Sequence, residues 1–328
     1  MRKILFVCLV ILLTGNCFAF EIDKVKLDLF SIEISEKYDL DITVVKKFLS
    51  SVKGSKKVLD LVSRPAEKSK TWSEYKAILV SPQRVSLGCS FIKKHEKSLD
   101  RAHQKFGVPP AIIAAIIGVE TSYGSVQGKH NSISTLATLA FYYPKSAKRR
   151  KFFKYQLEQL LLLALEQKMD LKNLQGSYAG ALGIPQFMPN NYRQLTVDFD
   201  GDGRKDLFKS FEDSIGSVAN YLSHHGWKRN SYIFEKVELH DSKALIKSEV
   251  NPAKLNTDKG ELISYGVKFF RSVVPNIEAA SILSFGDNTQ IEYWVAYNNL
   301  YSIFRYNPRV KYALAVAILA DEIKKNCD

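Results

Sequence analysis

One stretch of the sequence constrains the fold more than any other. It runs from Ala111 to Ile117 as Ala-Ile-Ile-Ala-Ala-Ile-Ile and directly follows Pro109-Pro110. Proline suits the first turn of a helix, so the pair predicts that a helix begins here. A helix that is apolar on every face is buried inside a protein. The chain has 328 residues, 46% of them hydrophobic, and is therefore long enough to enclose such a helix.

The remaining periodicity predicts a mainly helical protein with one exception. Further helices are expected at residues 90–105, 152–168, 213–225 and 309–324. Residues 55–75 are rich in Lys, Ser and Pro and predict a loop-bearing connection. Between 231 and 290, short β-branched and apolar stretches such as Phe234–Leu239 and Leu262–Phe270 alternate with Asn, Asp, Gly and Lys. This texture predicts a small mixed or β-containing subdomain inserted into a helical protein.

The first residues have the three parts of a secretory signal. Arg2 and Lys3 supply positive charge, Ile4–Leu13 is an unbroken apolar run, and Cys17-Phe18-Ala19 offers a small-residue cleavage site. The apolar run is too short to span a bilayer. We therefore expect a signal peptide at residues 1–19 and an exported chain of residues 20–328.

Export also changes what the cysteines can do. Cys17 ends a sequence like a lipoprotein signal, but Asn16 stands where such a signal has a small residue. The sequence thus disfavours a lipid anchor and leaves the question open. Cys89 and Cys327 remain in the mature chain, and an oxidising compartment would permit a disulfide between them. Two buried free thiols are the equal alternative.

The chain is strongly basic. It has 47 Lys and Arg residues against 34 Asp and Glu residues, for a formal net charge of +13. A basic exported protein suits an anionic partner, and peptidoglycan, with its peptide carboxylates, is one. Export argues against nucleic acid, which charge alone would permit. General solubility is the simpler explanation of the charge.

Glu120 stands at the end of the apolar helix, inside the run Gly118–Gly124. An ionised carboxylate is costly in apolar surroundings, so its pKa would rise there. A raised pKa suits a general acid that protonates a glycosidic oxygen near neutral pH. Spacing alone favours a simpler alternative, a structural glutamate paired with an arginine at a helix end.

The segment Asp198–Asp206 follows the start of an EF-hand calcium loop. Aspartates occupy loop positions one, three and five, and a glycine supplies the sharp turn. The usual glutamate at position twelve is replaced by Lys209, so a twelve-residue EF-hand is doubtful. The alternative is a cluster of Asx turns without metal.

Five blocks in this order resemble the MltB-type lytic murein transglycosylases, over roughly residues 72 to 320. The blocks are Phe106–Pro110 with Gly118–Gly124, Gly176–Gly183 continuing through Pro185–Pro189, Asp198–Asp213, Ala219–Leu222 with Gly226-Trp227, and Arg305–Asn307 with Tyr312.

This resemblance implies a fold and a reaction. The expected fold is mainly α, a lysozyme-like α+β catalytic core with an additional helical domain and a small inserted β-containing subdomain. Core and helical parts would occupy about 72–230 and 291–325, and the subdomain about 231–290. The implied reaction cleaves the β-1,4 bond between N-acetylmuramic acid and N-acetylglucosamine of peptidoglycan without water. It leaves a 1,6-anhydromuramyl end, with Glu120 as acid and then base.

The resemblance also implies the site residues. Substrate-binding positions would be Tyr75, Lys148, Arg149, Ser177, Gln186, Phe187, Tyr221, Tyr306, Asn307 and Tyr312. Core packing is the alternative for any one tyrosine, and a solvated basic patch is the alternative for the Lys148–Arg150 run, whose register is ambiguous by one residue. A structural Ca²⁺ would be held by Asp198, Asp200, Asp202, the Arg204 carbonyl and Asp213, with Glu212 as an alternative to Asp213.

No organic cofactor is expected. The expected partner is the peptidoglycan glycan strand in the periplasm, and cell-wall synthesis or remodelling complexes are compatible with that location. We expect a monomer. Two other functions remain open, a muramidase that uses water and a peptidoglycan-binding scaffold without activity.

Overall fold

The computed structural model describes residues 19–64, 70–240, 255–270, 272–286 and 291–327. Helices dominate these residues. They are α1 (Lys24–Tyr38), α2 (Ile42–Leu49), α3 (Lys56–Ser63), α4 (Trp72–Leu79), α5 (Pro82–Lys94), α6 (Glu96–Phe106), α7 (Pro110–Thr121), α8 (Ser132–Tyr142), α9 (Ala147–Gln167), α10 (Pro189–Leu195), α11 (Phe211–His224), α12 (Lys259–Ser264), α13 (Asn298–Tyr306) and α14 (Val310–Asn326).

The strands form one small sheet and two short pairs. They are β1 (Ala19–Phe20), β2 (Gly54–Ser55), β3 (His130–Asn131), β4 (Gln175–Gly176), β5 (Phe234–Leu239), β6 (Thr257–Asp258), β7 (Val267–Phe269), β8 (Ala279–Gly286) and β9 (Ile291–Ala296). Strands β1 and β2 pair, as do β3 and β4, and the other five lie in the order β6-β8-β9-β5-β7. All neighbouring strands are antiparallel. The mainly α fold with a small β-containing part is confirmed.

Helix α7 lies at the centre of the helical body. It begins at Pro110, and every residue from Ile112 to Gly118 is buried. Helices α5, α6, α11 and α14 pack around it. At Gly118 an added Cβ would stand 2.5 Å from Cζ of Tyr123, so only glycine fits. The prediction of a buried apolar helix is confirmed.

The five-stranded sheet separates two cores. Leu283 and Trp294 face the helical body and belong to its core. Val237, Ile282 and Val295 face the other way, into a smaller core that includes Leu262 of α12. Because successive strand residues point to opposite faces, each central strand contributes to both cores.

This arrangement moves one predicted boundary. The sequence placed the subdomain at 231–290, whereas its sheet continues through β9 to Ala296. Phe234–Leu239 is a strand as predicted. The stretch Leu262–Phe270 is divided between the end of α12 and strand β7. Strand β9 was not predicted because both of its faces are buried. Trp294 packs into one core and Val295 into the other, so the strand lacks an alternation of apolar and polar residues.

Helix boundaries also differ from the prediction. The helix expected at 90–105 is two helices, α5 and α6, that meet at His95. The His95 ring is buried, with centroids 4.6 Å from Phe91 and 4.9 Å from Phe211. Within the predicted connection at 55–75, the described residues contain all of α3 and the start of α4.

A disulfide joins Cys89 of α5 to Cys327, directly after α14, with the two Cα atoms 5.1 Å apart. Of the two alternatives that the sequence left open, the structure has the disulfide. The bond closes a sequence separation of 238 residues. It holds the end of α14 against α5, and both helices pack on α7.

The signal peptide and the lipid-anchor question fall almost wholly on residues 1–18, outside the described residues. Within the described ranges, no single helix is both long and apolar enough to cross a membrane. Helices α6 and α7 satisfy length and composition only as a pair, and they are bent by 113° with respect to each other.

The disulfide predicts a large effect on stability. Replacement of both cysteines by serine (Cys89→Ser with Cys327→Ser) frees a very long loop in the unfolded chain and should lower the free energy of unfolding by roughly 2–5 kcal/mol. Urea unfolding followed by circular dichroism measures this. Reduced parent protein should match the double variant, and equal stability of oxidised parent and variant would contradict the prediction.

Candidate active site

Glu120 is the penultimate residue of α7, where the buried helix reaches a partly exposed surface. Its side chain is half-buried rather than enclosed. The hydroxyl of Tyr312, in the first turn of α14, donates to Glu120 Oε1 at 2.5 Å. Burial, and then the negative charge of Glu120, raise the pKa of Tyr312 well above its ordinary value. Tyr312 therefore stays protonated and serves as a hydrogen-bond donor to the carboxylate.

Hydrogen bonds of the next residue, Thr121, hold the turn that follows Glu120. Ser122 and Tyr123 both have left-handed backbone, with φ of 48° and 59°. The hydroxyl of Thr121 donates to the Ile184 carbonyl at 2.9 Å and accepts the Gly124 N–H at 3.0 Å. These bonds fix the end of α7 to the loop that carries Ile184. The direction in which α7 presents Glu120 is thus set by the buried helix before this residue and by these hydrogen bonds after it.

Aromatic side chains form a packed wall beside this carboxylate. The ring centroids of Tyr221 and Tyr306 lie 4.7 Å apart, and Phe187 lies 5.5 Å and 5.8 Å from them. Burial, and then the charge of Glu120, raise the pKa of Tyr306 well above its ordinary value. Phe187 and Tyr221 are buried. Both therefore support the wall from behind and leave little ring surface open.

The hydroxyls of these tyrosines are aligned by backbone carbonyls. Tyr306 donates to the Pro185 carbonyl at 2.6 Å, and Tyr221 donates to the Arg305 carbonyl at 2.6 Å. The Pro185 bond joins the end of α13 to the loop between β4 and α10. Three of the predicted blocks therefore meet at one wall, next to the catalytic candidate.

That loop, residues 177–188, contains two predicted substrate-binding residues. The Ser177 hydroxyl is half-buried and accepts the N–H groups of Ala179 and Ala181 at 3.3 Å and 3.0 Å. Gln186 has a left-handed backbone, φ 52°, and its amide donates to the carbonyls of Gln127 and Gly183 at 3.1 Å and 2.8 Å. Both side chains brace the loop itself.

The small residues of this loop let other parts of the chain pack closely against its backbone. A Cβ added at Gly180 would clash with Leu136, and one at Gly183 would meet the Leu207 carbonyl oxygen at 2.5 Å. The close approach is therefore made by the protein's own chain.

The four other predicted substrate-binding residues differ in their burial and in how near they lie to Glu120. Tyr75 of α4 is buried, and it is one of the groups that raise the pKa of Tyr312, so it lies near the site. Asn307 is half-buried and caps the end of α13. Lys148 and Arg149 are exposed in the first turn of α9. The contacts described for this basic pair do not bring it to Glu120.

The predicted calcium loop brings three carboxylates together. Ligand oxygens of Asp198, Asp200 and Asp202 all lie within 4.8 Å of one another. Oxygens bound to one Ca²⁺ at 2.3–2.6 Å are separated by up to about 5 Å, so the spacing fits this ion. Asp198 also accepts the N–H groups of Gly201 and Gly203 at 2.7 Å and 2.9 Å, which keeps the loop curled around the cluster.

Asp213, the predicted closing ligand, accepts backbone N–H groups from both ends of this loop. It is fully buried, and its two carboxylate oxygens accept the N–H groups of Phe199 at 2.6 Å and Asp206 at 2.7 Å. It is not among the three clustered acids. The structure thus gives Asp213 the role of a brace that holds both ends of the loop.

Two residues that support the site were missed. The Gln127 amide donates to the Phe208 carbonyl at 3.0 Å, and the Gln127 carbonyl accepts from Gln186. Thr121 lies within the predicted run Gly118–Gly124 but was given no role of its own. Both residues bind backbone carbonyls that are remote in sequence, and a local sequence pattern cannot predict such contacts.

Comparisons with known proteins agree over most of the chain. A family model described as the transglycosylase SLT domain matches residues 26–321. The membrane-bound lytic murein transglycosylase B of Escherichia coli (strain K12) is 37% identical over 294 residues, which cover 85% of this chain and 77% of that protein.

Solved structures agree with the sequence match. The soluble lytic transglycosylase SltB1 from Pseudomonas aeruginosa superimposes with a TM-score of 0.83 at 39% identity, covering 92% of this chain and 98% of that one. The Escherichia coli lytic transglycosylase Slt35 in complex with calcium gives a TM-score of 0.81 at 33% identity, covering 95% and 97%. The expected lysozyme-like fold is confirmed. The chain belongs to the family of SLT-domain lytic transglycosylases.

Proposed function

We propose that this protein is an exported peptidoglycan lytic transglycosylase that uses Glu120 as its single catalytic acid and base. The observation that carries the proposal is the hydrogen bond from Tyr312 to the half-buried Glu120, near the end of the buried helix, in a chain of this family. The curated relative is a lytic murein transglycosylase, and we assign the same substrate to this chain.

One carboxylate suffices because the substrate supplies its own nucleophile. Most glycosidases need two carboxyl groups, one as acid and one as nucleophile or base. In this protein the Glu120 carboxyl gives its proton to the glycosidic oxygen as the bond to C1 of the muramyl residue breaks. The C6 hydroxyl oxygen of that residue then bonds to C1, and its proton returns to the Glu120 carboxylate. The enzyme is regenerated, and the product ends in a 1,6-anhydromuramyl residue.

The surrounding side chains position this exchange. Tyr312 holds the Glu120 carboxyl in place through one of its oxygens. Tyr306, supported from behind by the buried rings of Phe187 and Tyr221, offers a firm apolar face for a sugar ring. Tyr75, Ser177, Gln186 and Asn307 complete the cleft lining that we assign. Lys148 and Arg149 are assigned to stem-peptide carboxylates outside the catalytic centre.

The location follows from the sequence signal and from the substrate. The relative named membrane-bound acts on murein, so an extracytoplasmic location fits this family. We assign the periplasm to this chain, reached through cleavage of residues 1–19. Glycan strands are the assigned partner, and a monomer is the assigned state.

We assign a structural Ca²⁺ to the loop at Asp198–Asp206. Asp198, Asp200, Asp202 and the Arg204 carbonyl supply oxygen ligands, which Ca²⁺ prefers. Slt35 has been solved with calcium, which supports this assignment. The bound ion would fix the loop that Asp213 holds at its two ends.

Glu120→Gln should abolish the reaction. The amide keeps the size of the side chain but has no proton to exchange, so release of anhydromuropeptides from sacculi should fall by roughly 10²–10⁴-fold. Mass spectrometry of the soluble products measures this. Exposed Glu96→Gln on α6 is the matched control and should keep full activity. Anhydro products from Glu120→Gln would refute the catalytic assignment, and reducing ends from the parent would indicate a hydrolytic muramidase.

Tyr312→Phe should lower kcat about 10–100-fold and change KM little, because it frees the catalytic carboxylate without touching the bound glycan. Steady-state kinetics on a soluble glycan separates the two constants. Tyr297→Phe removes a similar hydroxyl–carboxylate bond, to Glu235 in the small subdomain, and should leave both unchanged. An unchanged kcat for Tyr312→Phe would show that the hydrogen bond is dispensable.

Calcium should bind with measurable heat and raise the melting temperature of the parent. The double variant Asp198→Asn with Asp202→Asn should lose both effects, since it removes two of the clustered charges. Titration calorimetry and thermal unfolding measure them. The control pair Asp60→Asn with Glu36→Gln removes two exposed acids elsewhere and should bind as the parent does. Absence of calcium-dependent heat in the parent would refute the site.

A further inference from the structure

The first helix of the exported chain presents apolar side chains to solvent. Val25, Leu29 and Ile32 of α1 are 63%, 61% and 42% exposed. Their spacing of four and then three residues puts them on one side of the helix. We call these three residues the α1 stripe. The opposite side of α1 packs into the helical body through Phe30 and Ile34, which are buried.

Basic side chains lie beside the α1 stripe. A groove of about 320 Å³ runs between α1 and the start of α9. Leu29 lines it together with Lys26, Arg150, Lys151 and Lys154. We call these four cations the basic border. The sequence from Lys145 to Lys154 contains six Lys or Arg residues and no acid, so the field along this edge is positive.

The acidic side chains of α1 that are nearest to this edge form ion pairs with lysines. Glu33 pairs with Lys154 in the groove, and Asp28 pairs with Lys46 of α2 at 3.5 Å. The ammonium of Lys26 stands 4.2 Å from the centre of the Tyr142 ring. The face therefore combines an exposed apolar row with a net positive border.

This combination favours a phospholipid surface over a glycan. Peptidoglycan is hydrated and could satisfy the basic border but not the α1 stripe, since it offers no apolar phase. A bilayer interface takes up apolar side chains at the depth of the acyl boundary, and anionic headgroups attract the flanking Lys and Arg. A second protein of the same charge would be repelled.

The chain enters the fold at this face. The Phe20 ring lies edge-on to Tyr142 with centroids 5.1 Å apart, and the Asp23 N–H donates to the Tyr142 hydroxyl at 3.0 Å. Lys26 covers the same ring. The α1 stripe therefore begins only a few residues after the expected cleavage site, where the chain leaves the export membrane.

We propose that the α1 stripe and the basic border form a peripheral docking surface for an anionic phospholipid membrane. Val25, Leu29 and Ile32 enter the interface, and Lys26, Arg150 and Lys151 contact headgroup phosphates, while Lys154 stays paired with Glu33. The surface holds the enzyme at a membrane while the Glu120 site works on the adjacent wall. It requires neither a lipid anchor nor a membrane-spanning helix.

Vesicle co-sedimentation of the exported form, residues 20–328, tests the proposal. The parent should bind vesicles of phosphatidylethanolamine with phosphatidylglycerol, more weakly at high salt, and should bind phosphatidylcholine vesicles poorly. The triple variant Val25→Ser, Leu29→Ser and Ile32→Ser should need at least about tenfold more lipid for half-maximal binding. Activity on soluble glycan should be unchanged, because these residues lie outside the proposed site.

The control variant removes three exposed apolar residues of the small subdomain, Ile263→Ser, Val273→Ser and Ile277→Ser. It should bind vesicles as the parent does, and both variants should unfold at the parent's temperature. The proposal is overturned if the parent does not bind anionic vesicles, or if both variants lose binding equally. Loss of binding to isolated sacculi, but not to vesicles, in the α1 variant would identify the face as a glycan surface and would also overturn it.

Discussion

The enclosure of α7 is the constraint on which the rest of this structure depends. A helix without a polar face must be covered on all sides, and α5, α6, α11 and α14 supply that cover. The unbroken run of buried residues ends at Gly118, and Val119 and Glu120 are only partly buried, so Glu120 reaches a partly exposed surface while the helix that carries it stays anchored in the core. Helix α14 is needed for the cover, and the same helix brings Tyr312 to the carboxylate.

Two of the helices that cover α7 are joined at the C-terminal end of α14. The disulfide at Cys89–Cys327 joins α14 to α5, the two helices that also flank α7. Gly88, next to Cys89, is so close to Ile323 of α14 that a Cβ there would stand 2.5 Å from the isoleucine Cδ1. Stability and catalytic geometry are therefore linked, because the helix that the disulfide restrains is the one that carries the partner of Glu120.

Local sequence patterns correctly predicted the features that depend only on residues close together in the chain. The buried helix, the position of Glu120 at its end, strand Phe234–Leu239 and the acidic loop all follow from runs of a few residues. Contacts between distant segments did not follow. Tyr312 and Glu120 are 192 residues apart, and their hydrogen bond is created by the packing of two helices. The loop at residues 177–188 shows a second kind of limit, since its glycines indicate that another group approaches closely but do not identify that group. At Gly180 and Gly183 that group is Leu136 and the Leu207 carbonyl, not a ligand. The same holds for Asp213, where an acid at a metal loop accepts backbone N–H groups instead of joining the cluster.

The central claim is that a single carboxylate works because the substrate, not water, supplies the nucleophile. Digestion of sacculi in H₂¹⁸O with mass spectrometry of the released muropeptides tests it most directly. We predict that the newly formed muramyl ends are anhydro and carry no ¹⁸O, whatever the extent of digestion. Incorporation of one ¹⁸O at each new end would show that water attacks C1, and would contradict a mechanism in which the C6 hydroxyl is the nucleophile.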